Sequence, residues 1–83
     1  MENIKKIVVK NNPTFEELIF CFEEIRANGD VAVIKFDGER QDNWYTVFVS
    51  FPNNTRSMIR SDESDLKKAL LKVLIKYIEG SSE

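Results

Sequence analysis

The chain contains no histidine and a single cysteine, Cys21. Without histidine it lacks the commonest general base and the commonest metal ligand. With one cysteine it has no disulfide framework. Cys21 has no CxxC partner, so it reads as a small, semi-buried helix residue suited to a reducing compartment. There are only three glycines. Two of them, Gly29 and Gly80, read as helix stops, which leaves no glycine loop to wrap a phosphate. Nothing resembles a nucleophile elbow or a zinc ligand set. No apolar run reaches the ~20 residues of a membrane span. The start, MENIKKIVVK, lacks the apolar region and cleavage site of a signal peptide. These absences point to a soluble, cytoplasmic, non-catalytic protein with no cofactor, no metal and no membrane contact.

What is present is a pair of strands apolar on both faces, Val31 to Asp37 and Trp44 to Phe51, joined across a polar loop from Gly38 to Asn43. Side chains alternate sides along a strand. One face therefore carries Ala32, Ile34 and Phe36 with Tyr45, Val47, Val49 and Phe51, and the other carries Val31 and Val33 with Trp44 and Phe48. A small sheet usually buries one face and wets the other. The second face here calls for cover, from the chain's own helices or from a partner.

The remaining elements follow from periodicity and caps. Ile4 to Lys10 is short and β-branched and reads as a strand. Thr14 and Glu17 form a capping box that opens a helix ending at Asn28-Gly29. Its apolar stripe is Phe15, Leu18, Ile19, Phe22 and Ile25, with Phe20 standing among Glu16, Glu17, Glu23 and Glu24 on the other side. Arg56 to Arg60 reads as a short third strand. The acidic run Ser61-Asp62-Glu63-Ser64-Asp65 reads as the start of a last helix reaching Glu79, with a core stripe of Leu66, Ala69, Leu70, Val73, Leu74 and Tyr77. Leu71, Ile75 and Ile78 widen its apolar arc beyond what a surface helix needs, so this helix is expected to be sandwiched. Residues 81–83 read as a frayed end. The expectation is one α+β domain over residues 1–83, in the order β-α-β-β-β-α. Its sheet is largely antiparallel, with both helices mainly on one face, the acidic first helix beside the basic last one (Lys67, Lys68, Lys72, Lys76).

Of two carboxylate clusters, Asp37 with Glu39 and Asp42 lacks the spacing of an EF-hand loop, and Asp62 with Glu63 and Asp65 reads better as helix capping. The formal charge of −2 argues against nucleic acid, although the charges segregate. Residues 14–79 run helix, three strands, helix, an order that resembles the double-stranded-RNA-binding domain. In that family a lysine pair at the start of the last helix grips phosphate, and Lys67-Lys68 stand near the comparable place. The glycine-rich approach of the family is replaced here by Ser61 to Asp65. The stretch Trp44 to Pro52, a short strand, and then Ser61 to Ala69 is similar in rhythm to HicB-type antitoxins, with Asn53-Asn54 in place of the family's turn.

The functional expectation is a small regulatory protein of inhibitor, immunity or antitoxin type that binds another protein, a basic one given the acidic helix. Contact is assigned to Trp44, Phe48, Val33, Val31 and Phe20. A homodimer is expected because a chain this short has a thin core. The alternative is an RNA-binding domain using Arg56, Arg60, Lys67 and Lys68.

Overall fold

A computed structural model describes residues 2–81, with the last described residue continuing a helix; the frayed end expected at 81–83 otherwise lies outside the described residues. Three helices and three strands follow in the order α1 (Glu2–Val8), α2 (Phe15–Ala27), β1 (Val31–Phe36), β2 (Tyr45–Ser50), β3 (Ile59–Glu63) and α3 (Leu66–Ser81). The sheet is antiparallel throughout, in the order β1-β2-β3. The α+β class, the antiparallel sheet and the placement of α2 and α3 on one face agree with the sequence reading.

The first element differs, being a helix where the sequence suggested a strand. Its β-branched residues also fit a helical spacing, with Ile4, Ile7 and Val8 on one stripe, and tertiary packing overrides the local β preference. A seven-residue helix is marginal on its own. This one is held by burying Ile4 and Ile7 against α2 and α3, and among the described residues it touches no strand.

α2 opens on the expected capping box. The Thr14 hydroxyl accepts from the Glu17 amide at 3.1 Å, and the Glu17 carboxylate accepts from the Thr14 amide at 2.9 Å. It ends where Gly29 adopts φ +90°, a conformation that side chains disfavour, and the Gly29 amide donates to the Arg26 carbonyl at 2.9 Å. The buried stripe is Leu18, Cys21, Phe22 and Ile25. Phe15 and Ile19, expected in the core, are about half exposed. The stripe is turned toward Cys21 because α1 packs on that side of α2 as well as the sheet. Burial pushes the Cys21 thiol up to about 11, so it is an inert packing group.

The third strand lies further along than expected. Residues 61–63, read from sequence as a helix cap, are strand, and Arg56 to Met58 precede it. The cap falls to Asp65 alone, whose carboxylate accepts from the Lys68 amide at 2.8 Å. β3 is polar because it is an edge strand whose outward groups, Arg60 and Asp62, meet solvent and one another.

α3 packs on β2 and β3 beside α2, which rests on β1, with α1 against both helices, and the expected α3 stripe, from Ala69 to Tyr77, is buried. Leu71 and Ile78 are half-buried against the same core, while Ile75, the third residue of the wide apolar arc, is 42% exposed. Lys67 meets α2 through a ring and not a carboxylate, its ammonium 5.1 Å from the centroid of Phe15 at the start of that helix, and Lys72 pairs with Glu63 of β3. Tyr77 is the main polar tie in the interior. Its hydroxyl donates to Asp30 at 2.7 Å and accepts from Asn28 at 3.1 Å, while its ring stacks on Phe51 at 5.9 Å. The same ring, with Phe51, receives the Arg56 guanidinium, which donates to the carbonyls of Lys76 and Tyr77 at 2.8 and 2.9 Å. Gly80 leaves the room this arginine needs, since a Cβ there would strike the guanidinium.

Candidate functional site

The two faces of the sheet follow directly from the register. Val33 pairs with Phe48 and Phe48 with Arg60; Lys35 pairs with Thr46 and Thr46 with Asp62. These side chains, with Val31, make the outer face, which none of the described helices covers. Ala32, Ile34, Val47, Val49, Ile59 and Ser61 face the helices.

The outer face has two parts. At one end, Val31 and Val33 are 47% and 37% exposed, and Phe48 is half-buried between Val33 and Arg60. Next along the strands comes a charged row built around Asp62. Its carboxylate accepts from the Thr46 hydroxyl at 2.6 Å, from Arg40 Nη1 at 3.1 Å and from Arg60 Nε at 3.0 Å. These donors, Arg60 first, hold the Asp62 carboxyl far below the usual carboxylate range. Thr46 is buried under them although it lies on the uncovered face. The row continues to Asp37, which sits 3.5 Å from both Lys35 and Arg40. The Glu39 amide donates to Asp37 at 3.0 Å and is the main cause of its lowered pKa.

The same arginine shapes the hairpin loop. Arg40 Nη1 donates to the Asn43 carbonyl at 2.9 Å, and the Asn43 amide donates to the Ser64 hydroxyl at 2.8 Å. Asn43 takes φ +48°, a left-handed conformation that asparagine tolerates better than most residues. The loop is thereby tied to the start of α3.

The five residues assigned to contact are only partly brought together. Val31, Val33 and Phe48 form one patch. Trp44 is 37% exposed but lies beyond the charged row, at the hairpin tip, where its ring meets Tyr45 edge-on at 6.4 Å and helps line a small cavity with Phe36 and Arg40. Phe20 is exposed on α2, in the helical layer on the other side of the sheet. The carboxylates of α2 lie in that layer too. Glu17 pairs with Lys10, whose ammonium lowers its pKa, Glu23 pairs with Arg26 at 3.0 Å, and Glu24 accepts from Asn3 at 2.6 Å.

The four cations assigned to phosphate do not share a surface. Arg56 is held against the C-terminal part of α3. Arg60 is on the outer face of the sheet. Lys67 donates to Asn12 at 3.0 Å, and Lys68 is exposed nearby. Ten residues of helix, about 15 Å, separate Lys67 from Tyr77, where Arg56 sits. The sequence carries no signal for the Arg40–Asp62–Thr46 cluster, because the loop that holds Arg40 has no shape fixed by its residues and Asp62 lies in a run with the composition of a helix cap. Among the described residues no three histidine, cysteine, aspartate or glutamate side chains are grouped as a metal ion would require. No described helix is long and apolar enough to cross a membrane. Comparison with protein-family models, with curated proteins and with solved structures gave no match.

Proposed function

We propose that this chain is a non-catalytic binding module whose outer sheet face docks another protein, in the manner of an inhibitor, immunity protein or antitoxin. The observation that carries this reading is the uncovered Val31–Val33–Phe48 patch, set on paired strands beside a fixed row of charges. Exposed apolar groups on a rigid sheet supply binding area at little conformational cost, and the adjoining Lys35, Arg40, Arg60 and Asp62 supply orientation. The carboxylates whose titration the fold moves, Glu17, Asp37 and Asp62, all move toward permanent ionisation, the reverse of what a catalytic acid needs. A basic partner would have to meet α2, since the carboxylates of that helix do not border the patch.

The test is capture from native lysate with tagged wild type and with Val33→Ser/Phe48→Ser, each with and without nuclease. A protein retained by wild type, lost by the variant and indifferent to nuclease is the expected result. Capture that disappears with nuclease, falls steeply with salt and is abolished by Lys67→Glu/Lys68→Glu would replace this reading with the RNA-binding one.

A further inference from the structure

β1 is an edge strand, and its free edge has a matching groove beside it. The Asp37 amide donates to the Trp44 carbonyl at 2.8 Å, which sets the phase of the β1–β2 ladder. In an antiparallel pair, hydrogen-bonded residues alternate with non-bonded ones. Val31, Val33 and Lys35 therefore bond to β2, while the amides and carbonyls of Ala32, Ile34 and Phe36 point outward. Edge strands are commonly guarded by proline, bulges or several charges. β1 (VAVIKF) has Lys35 as its single charge and no proline. On the helical side of that edge runs an open groove of about 380 Å³, lined by Ile19, Phe22, Ala32 and Ile34 with Glu23 and Arg26 at its rim. On the same side of the strand, Phe36 projects 67% exposed, with Tyr45 edge-on at 5.3 Å as its aromatic neighbour.

We propose that β1 pairs antiparallel with β1 of a second copy, Ile34 opposite Ile34 across a two-fold axis, each Phe36 seated in the other copy's groove. This register places Ala32 opposite the second copy's Phe36, the smallest side chain of the strand against its largest. All three outward residues then find partners, and each such pair exchanges both of its hydrogen bonds. On the outer face Lys35 stands opposite Val33 of the second copy, so no like charges meet. Neighbouring registers are worse. Centring on Lys35 sets two ammonium groups face to face. Centring on Val33 sets Phe36 against Asp30, whose amide already donates to the Ile25 carbonyl at 3.2 Å. The polar rim of the groove needs nothing further, since Glu23 and Arg26 are paired with each other. One event thus covers Phe36 and Ile19, two apolar side chains that the monomer leaves exposed.

The full chain is tested by sedimentation equilibrium from micromolar to millimolar concentration. The mass is expected to rise from 9.7 kDa toward twice that value. Phe36→Asp should weaken association by about 100-fold, the loss of a buried aromatic anchor, with an unchanged circular dichroism spectrum. Ile34→Cys should cross-link into a covalent dimer on mild oxidation and Val33→Cys should not, because only residue 34 meets itself across the axis. That pair of cysteine variants decides the matter if Phe36→Asp fails to fold. A wild-type mass of 9.7 kDa at every concentration overturns the proposal. So does a dimer that persists in folded Phe36→Asp, or cross-linking through residue 33 in preference to 34. None of these variants is the outer-face pair used above. Phe48→Ser, on β2 and outside the pairing strand, should weaken target capture and leave the mass unchanged, so loss of target binding and loss of pairing are separable.

Discussion

The inner and outer faces of the same three strands contain comparable apolar residues but stand in different relations to stability. On the inner face Val47 and Val49 are fully buried, and Ile59 nearly so, beneath α2 and α3. On the outer face Val31 and Val33 lie open beside Phe48, and the next row is occupied by ions and a hydroxyl. Strand alternation places side chains on faces but does not say which face receives a helix. Burial decides whether a valine holds the fold together or remains available to a partner.

The comparison can be broken or sharpened by a graded series of variants. The largest effect belongs to the helical side of the inner layer. Leu70→Ala or Leu74→Ala, each removing a fully buried side chain, should cost about 2–5 kcal/mol in urea unfolding, a large share of a small domain's stability. Tyr77→Phe should cost about 1–2 kcal/mol, because Asp30 and Asn28 lose their shared hydroxyl partner in a half-buried setting. Asp62→Asn tests the ionic row. Its folded pKa is lowered by Arg60, Thr46 and Arg40, so its contribution is complete above the unfolded value of about 4 and declines as pH falls toward the folded value. Wild type should therefore lose stability between about pH 4 and pH 2 more steeply than Asp62→Asn, measured as the shift in urea midpoint against pH. The smallest effect belongs to the outer apolar end, where Val33→Ser should change stability by no more than about 0.5 kcal/mol.

Much of this arrangement was legible in the sequence where one signal acted alone. The Thr14–Glu17 box and Asn28-Gly29 marked α2 because capping chemistry is local. The alternation within β1 and β2 assigned both faces correctly, since a two-residue period holds along a ladder with no bulge. The α3 stripe stood out for its length. Four features were hidden. Ile4, Ile7 and Val8 satisfy both a strand composition and a helix spacing, and only docking onto α2 and α3 selects the helix. β3 is an edge strand rich in serine, aspartate and glutamate, residues that elsewhere signal a helix start. Trp44 shares the parity of Phe48, yet it follows the left-handed Asn43 and turns to the hairpin tip instead of extending the patch. The charged row between them required the register that pairs Thr46 with Asp62 and the loop that brings Arg40 across.

The most direct test is to compare urea unfolding and target capture in one double variant, Val33→Ser/Phe48→Ser. A docking face gives a variant that unfolds cooperatively with a loss of less than about 2 kcal/mol, yet no longer retains the protein that wild type captures. A variant that is unfolded in buffer, or one that captures the same protein as well as wild type, would contradict the assignment of the outer face as the site of binding.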